Sequence, residues 1–272
     1  MSMERPVTDL VVRRHGRAGG SGDAPTLLFL HGLTDSGEGW PEAVAHWEGD
    51  YAIVAVDQRG HGGSPRFTAD QLAGHPGDLM VDDAVALLEQ LDRPVVIGHS
   101  LGGAVGLTAA VRRPDLLRGL VLEDPAPLGP DEPQHSPSRG KEFRADIEAS
   151  RSAVDDDALL AVRREAHPDW PESELLVTGK AEQQMDADFL ENGEWKPSTR
   201  WPELFREVRV PTLVVSGGRL DEVAVDESTE QGIAGIANPL VSFVRVPDAG
   251  HCIRREQPSA YYSLVDGFLA RL

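Results

Sequence analysis

The chain alternates between short, wholly apolar runs and longer stretches in which apolar positions recur every three or four residues. Thr26-Leu27-Leu28-Phe29-Leu30, Ala52-Ile53-Val54-Ala55-Val56, Pro94-Val95-Val96-Ile97 and Gly119-Leu120-Val121-Leu122 are runs of the first kind, residues 211–215 continue the series, and 241–246 resumes the strand pattern with Ser242 and Arg245 inside it. A run without polar alternates reads as a strand buried on both faces, which is the habit of parallel sheets. Among the longer stretches, residues 78–91 put Met80, Ala84, Leu87, Leu88 and Leu91 on one stripe, the spacing of an amphipathic helix. Residues 40–47 read as a short helix with Pro41 near its first position, and residues 260–272 as a closing helix. Val7 to Val12 and the charged, glycine-rich residues after it read as an early hairpin, with Gly19-Gly20-Ser21-Gly22-Asp23 as a turn or loop.

Strands alternating with helices predict an α/β fold, a mostly parallel twisted sheet with helices on both faces. The pattern stops between about Pro125 and about Trp201, where prolines and acidic residues are frequent and no buried strand appears. Residues 138–150, 155–166 and 172–189 each read as helical there. The expected organisation is a core of residues 1–124 and 205–272, interrupted by a helical insertion over 125–204.

One turn carries candidate chemistry. Gly98-His99-Ser100-Leu101-Gly102 follows the apolar run that ends at Ile97 and precedes a small-residue run from Gly103 to Ala110. Strand, sharp turn and helix with Gly-x-Ser-x-Gly at the turn is the arrangement of a nucleophile elbow. Glycines two positions either side of the serine leave room for a strained turn, and a helix N-terminus below it favours developing negative charge. The other polar clusters fall where the other strands end: His31-Gly32-Leu33-Thr34, Asp57-Gln58-Arg59-Gly60-His61-Gly62, Glu123-Asp124-Pro125 and Asp248-Ala249-Gly250-His251. In parallel sheets that is where ligands bind.

Composition narrows the picture. The 272 residues suit one large domain with an insertion, and 40% hydrophobic content supports a sizeable core. A formal net charge of −19 argues against nucleic acid and anionic membrane as partners. A single cysteine, Cys252, excludes an internal disulfide, and Met1-Ser2-Met3-Glu4-Arg5-Pro6 lacks the apolar run of a secretory leader, so a cytoplasmic location is expected. No clustered ligand spacing points to a metal, and no cofactor is expected.

Together these motifs make the chain resemble an α/β-hydrolase-fold protein over most of its length. The resemblance implies Ser100 as nucleophile and His251 as its base. It implies an oxyanion hole from the backbone N–H groups of Leu33 and Leu101, and a helical cap in the place of the insertion. The acid that orients His251 stays open. The commoner position, Gly-x-x-Asp after the strand at 211–215, offers Asp221 if counted from Gly218, whereas counting from Gly217 puts Leu220 there. A family variant, seen in haloalkane dehalogenases, takes the acid after the strand that follows the elbow helix. Glu123 fits that variant best, because an ionisable group at the end of Leu120-Val121-Leu122 needs a partner, and a cationic His251 supplies one. Asp124 is the third candidate. The expected function is a serine hydrolase acting on a small hydrophobic ester or lactone. Thioester or carbon–carbon bond hydrolysis, or receptor-like binding of a small ligand without turnover, are the alternatives.

Overall fold

The computed structural model describes residues 9–16, 24–126, 137–199 and 203–272. The expectations for Val7, for 19–23 and for Trp201 lie outside those residues. Within them, one sheet contains seven strands: β1 Val12–Gly16, β2 Thr26–Leu30, β3 Ala52–Val56, β4 Val95–His99, β5 Gly119–Glu123, β6 Thr212–Gly217 and β7 Val241–Val246. Their order across the sheet is β1-β3-β2-β4-β5-β6-β7. β1 runs antiparallel to β3 and the other pairings are parallel. Of the stretch expected to form an early hairpin, Val12–Gly16 is strand β1, which pairs with β3, and the residues on either side of 9–16 lie outside those described.

The apolar runs explain the two-sided burial. Even-numbered strand residues Leu28, Leu30, Val54, Val96, Leu120 and Leu122 pack with Val105 and Leu107 of the elbow helix and with Met80 and Ala84. Odd-numbered residues Leu27, Phe29, Ile53, Ile97 and Val121 pack with Trp40, Trp47, Tyr261 and Phe268 on the other face. Each such side chain stabilises the fold by roughly 1.5–3 kcal/mol on leaving water, so the central strands carry polar groups at low cost at their ends, whereas edge strands β1 and β7 also carry them along their length.

Helices depart from the sequence pattern mainly at their ends. The helix expected over 78–91 is Pro76–Leu88, because Pro76 occupies the first helical position. The helix expected over 172–189 is two helices, Glu172–Gln184 and Ala187–Asn192. Met185 is extended, and the Asp186 carboxylate accepts from the N–H groups of Asp188 and Phe189, which starts the second one. Helix Glu227–Ile236, which the apolar pattern does not reveal, is started in the same way by Asp226 on the N–H of Thr229. Among the described residues five helices stand between β5 and β6: Pro137–Arg151, Asp156–Ala166, Glu172–Gln184, Ala187–Asn192 and the short Leu204–Glu207. Among the described residues no helix is long and apolar enough to cross a membrane.

Candidate active site

β4 ends at His99, and the chain turns at Ser100 straight into the helix Leu101–Arg112. Ser100 has φ 50° and ψ −115°, a conformation that costs a non-glycine residue roughly 1–3 kcal/mol and persists only where the surroundings enforce it. They do so through hydrogen bonds on both sides. Ser100 N–H donates to the Glu123 carbonyl at 3.0 Å, and the Ser100 carbonyl accepts from Ala126 at 3.0 Å and Ala104 at 3.1 Å. The flanking glycines are sterically required. A Cβ on Gly98 would stand 2.5 Å from the Gly102 carbonyl oxygen, and one on Gly102 would stand 2.1 Å from that of Leu30.

Leu101 opens the helix, so its N–H has no carbonyl within the helix to reach. Leu33 stands in the loop after β2, and both leucines line the same cavity as Ser100. His61 fixes that loop: its Nε2 lies 2.7 Å from the Leu33 carbonyl oxygen, and burial pushes its pKa down to about 3. Its Nδ1 lies 2.9 Å from the Arg59 carbonyl oxygen, so the neutral ring donates its single N–H to one of these two carbonyls. His31, also buried and pushed downward by desolvation, has Nδ1 at 2.8 Å from the Gly32 carbonyl while Nε2 accepts from Gln58 N–H at 3.0 Å. Those contacts define one tautomer, with the proton on Nδ1.

Among the three candidate acids, the structure puts Asp124 on His251. His251 Nδ1 donates to Asp124 Oδ2 at 2.5 Å, with the carboxylate wholly buried and the imidazole 35% exposed. The remaining Asp124 contacts come from the β6 side. Ser216 Oγ donates to Oδ1 at 2.7 Å, Ala224 N–H to Oδ2 at 2.6 Å and Val225 N–H to Oδ1 at 3.2 Å. β6 and its loop, the commoner site for such an acid, here supply donors to an acid on β5.

The expectation that Glu123 orients His251 is therefore corrected. Glu123 is the last residue of β5 and shares its face with Val121, toward Trp40 and Tyr261. There it accepts from Arg254 N–H at 2.8 Å and from Arg254 Nη1 at 2.9 Å, and both side chains are fully buried. The carboxylate did require a buried cation, but the cation is Arg254. Asp124, one residue on, has φ 35° and leaves the strand's alternation altogether, which is what aims it at His251. Asp221 is corrected too: it lines the cavity, is exposed, and makes no hydrogen bond or ion pair among the described residues.

The loop that carries His251 is held by His99 and Glu256. His99 Nε2 lies 3.2 Å from the His251 carbonyl oxygen, and burial pushes His99 well below the ordinary histidine range, so the neutral ring donates that bond. Glu256 binds the N–H groups of Gly250 at 2.6 Å and Cys252 at 3.2 Å. Burial pushes the Cys252 thiol up to about 12, which leaves it a packing residue. The signal in the sequence was position alone: His99 precedes the nucleophile, and Cys252 follows the base.

Ser100, His251, Leu33 and Leu101 share a cavity of about 810 Å³ between the strand ends and the helices of the insertion. Phe143, Trp170 and Trp195 face it from the insertion, and Arg219, Arg255 and Cys252 from the core. Its size suits a small organic molecule. Among the described residues no cluster of histidine, cysteine or carboxylate side chains is arranged to hold a metal ion.

The comparisons agree with this architecture. Residues 27–264 match the model of the Alpha/beta hydrolase family, and the chain belongs to that family. It is 30% identical to "Lipase LipV" of Mycobacterium tuberculosis, over 95% of this chain and 97% of that one. It is 26% identical to the 2-(acetamidomethylene)succinate hydrolase of Mesorhizobium japonicum, over 91% of this chain and 89% of the other. A solved enol-lactonase from Burkholderia xenovorans LB400 superposes with a TM-score of 0.71 at 21% identity, covering 96% of each chain, which shows a shared fold.

Proposed function

We propose that the protein is a serine hydrolase that cleaves a small carboxylic ester or lactone through an acyl-enzyme on Ser100. The observation that carries the reading is the 2.5 Å contact between His251 Nδ1 and Asp124, in a cavity shared with a serine held at φ 50°. With Nδ1–H fixed on the carboxylate, the Nε2 lone pair of His251 is left to act as base. Ser100 Oγ attacks the ester carbonyl carbon as His251 Nε2 takes its proton. The carbonyl oxygen becomes an oxyanion held by the Leu33 and Leu101 N–H groups, and Asp124 stabilises the imidazolium. Collapse breaks the bond to the leaving alkoxide, which takes the proton from Nε2. Water then attacks the acyl carbon, again with His251 as base, and releases the acid and Ser100. A lactone follows the same steps, with the alkoxide tethered to the acyl group. The helices between β5 and β6 act as a cap that closes over the bound substrate and separates the site from bulk solvent, with room left for the one attacking water. Family membership and a relative named as a lipase support hydrolysis of this kind.

Rapid mixing with a 4-nitrophenyl ester tests the proposal. The expected result is a burst of one 4-nitrophenol per chain followed by slower turnover, with Ser100→Ala losing at least about 10³-fold in kcat. An alanine variant that retains wild-type turnover refutes it.

A further inference from the structure

One part of the cavity wall is unusual for a hydrophobic substrate. It contains two buried arginines, Arg163 from helix Asp156–Ala166 and Arg255 from the short helix Ile253–Glu256. Buried guanidinium N–H groups normally all find acceptors, because each unsatisfied one loses its hydration without replacement. These do not. Arg163, whose side chain is only 8% exposed, donates from Nη1 to Glu182 at 2.7 Å, while its Nε–H is buried with no partner and Nη2 has none among the described residues. Arg255 donates from Nε to Glu174 at 2.7 Å and from Nη2 to Asp35 at 2.7 Å and to the Gly39 carbonyl at 3.0 Å. Its Nη1 has no partner among the described residues. Both guanidinium groups lie over the ring of Trp170, at 4.6 Å for Arg255 and 5.9 Å for Arg163.

The carboxylates at this end are already occupied. Glu182 accepts from Arg163 through Oε1 and from Ser150 Oγ through Oε2, and Asp35 accepts from Ser36 N–H, Arg254 and Arg255. One carboxylate oxygen, Oε1 of Glu174, is also without a partner, but the free N–H groups of the two guanidinium groups outnumber it. What completes such a site is a planar anion with two acceptor oxygens, which a guanidinium matches in geometry. A phosphate would bring more negative charge to a chain that already carries −19.

We propose that the preferred substrate bears a free carboxylate in addition to the bond that is cleaved, and that this carboxylate is bound by the free Nη2 of Arg163 and Nη1 of Arg255. The inference rests on the serine-hydrolase reading for the bond cleaved, but the anion site can be read without turnover. Trp170 covers the two guanidinium groups and shields them from bulk water, which strengthens the contact.

Two 4-nitrophenyl esters of equal chain length separate the possibilities: the hexanoate, and the half-ester of adipic acid, whose far end is a carboxylate. Wild type is expected to favour the half-ester by at least about tenfold in kcat/KM, through a lower KM. Arg163→Met is expected to lower the ratio of half-ester to hexanoate kcat/KM by about 10–100-fold, the scale of a hydrogen bond to a charged group. Because that change leaves Glu182 buried without its cation, Arg163→Met/Glu182→Gln is measured beside it, with thermal melting to confirm folding. A wild type that prefers the hexanoate, or a ratio unchanged in both variants, overturns the proposal. Calorimetric titration of Ser100→Ala with adipate reads the site independently. Binding is expected, and Arg163→Met/Glu182→Gln in the same background is expected to weaken it by a similar factor. Turnover of neither ester refutes the serine-hydrolase reading, and adipate binding then decides the anion site alone; no adipate binding overturns it.

Discussion

At the scale of single residues, the neighbours Glu123 and Asp124 show how a one-position shift changes chemistry. Both are fully buried acids at the end of β5, but strand alternation turns the first to Arg254 and a positive φ turns the second to His251. Asp124→Asn is expected to lower kcat by about 10⁴-fold with little effect on the melting temperature, because an amide cannot fix the reactive tautomer of His251 or stabilise its cation. Glu123→Gln is expected to do the reverse. It removes the nearer of the two carboxylates on buried Arg254 and leaves Asp35 at 3.4 Å, which costs up to roughly 3–5 kcal/mol of stability, while folded enzyme loses less than about tenfold in kcat. Steady-state kinetics and thermal melts of both variants check the pair. The sequence carried the need for a buried cation beside Glu123, since Leu120-Val121-Leu122 fixes that position inside the sheet. It did not carry the identity of the cation. Arg254 is three residues past His251, and only the short helix Ile253–Glu256 brings it back under the strand. Nor does a sequence display φ at Asp124.

Elements were legible where one local rule dominates. Each buried strand was visible as an unbroken apolar run, and the elbow as a glycine-spaced turn between strand and helix. Helix ends followed capping and proline instead of the apolar stripe, as at Pro76 and Asp186. Glycine acts differently by element, and two substitutions separate the cases. Gly102→Ala drives a Cβ against the Leu30 carbonyl, a backbone atom that cannot move aside without disturbing β2. It is expected to lower stability by about 1–3 kcal/mol or more, with loss of activity, because the elbow must shift. Gly235, in helix Glu227–Ile236, has open space where a Cβ would stand. Gly235→Ala is expected to raise stability by about 0.5–1 kcal/mol. Urea midpoints of the two variants are the measurement, and a destabilised Gly235→Ala would contradict the account of that helix.

For the whole molecule, the buried imidazoles set a pH dependence. Burial lowers the pKa of His31, His61 and His99, with His61 at about 3, and lowers that of His167 to about 4, against an ordinary value of 6.5. The unfolded chain therefore takes up protons near pH 6.5 that the folded chain refuses until far lower pH. Stability is fully present above that value and falls as acid is added. The urea midpoint is expected to drop between pH 7.5 and pH 5, and less steeply in His61→Gln; an equal midpoint at both pH values would contradict the buried neutral assignment. The same arrangement keeps these rings neutral as the site is used, so they hold the loops around Ser100 and His251 without competing for its proton. The proposed reaction passes through covalent acylation of the Ser100 hydroxyl. Intact-mass measurement after exposure to a fluorophosphonate, followed by peptide mapping, tests that most directly. One phosphonyl group per chain, on Ser100, and none on Ser100→Ala is the expected result. No adduct, or an adduct on another residue that survives Ser100→Ala, would contradict the account.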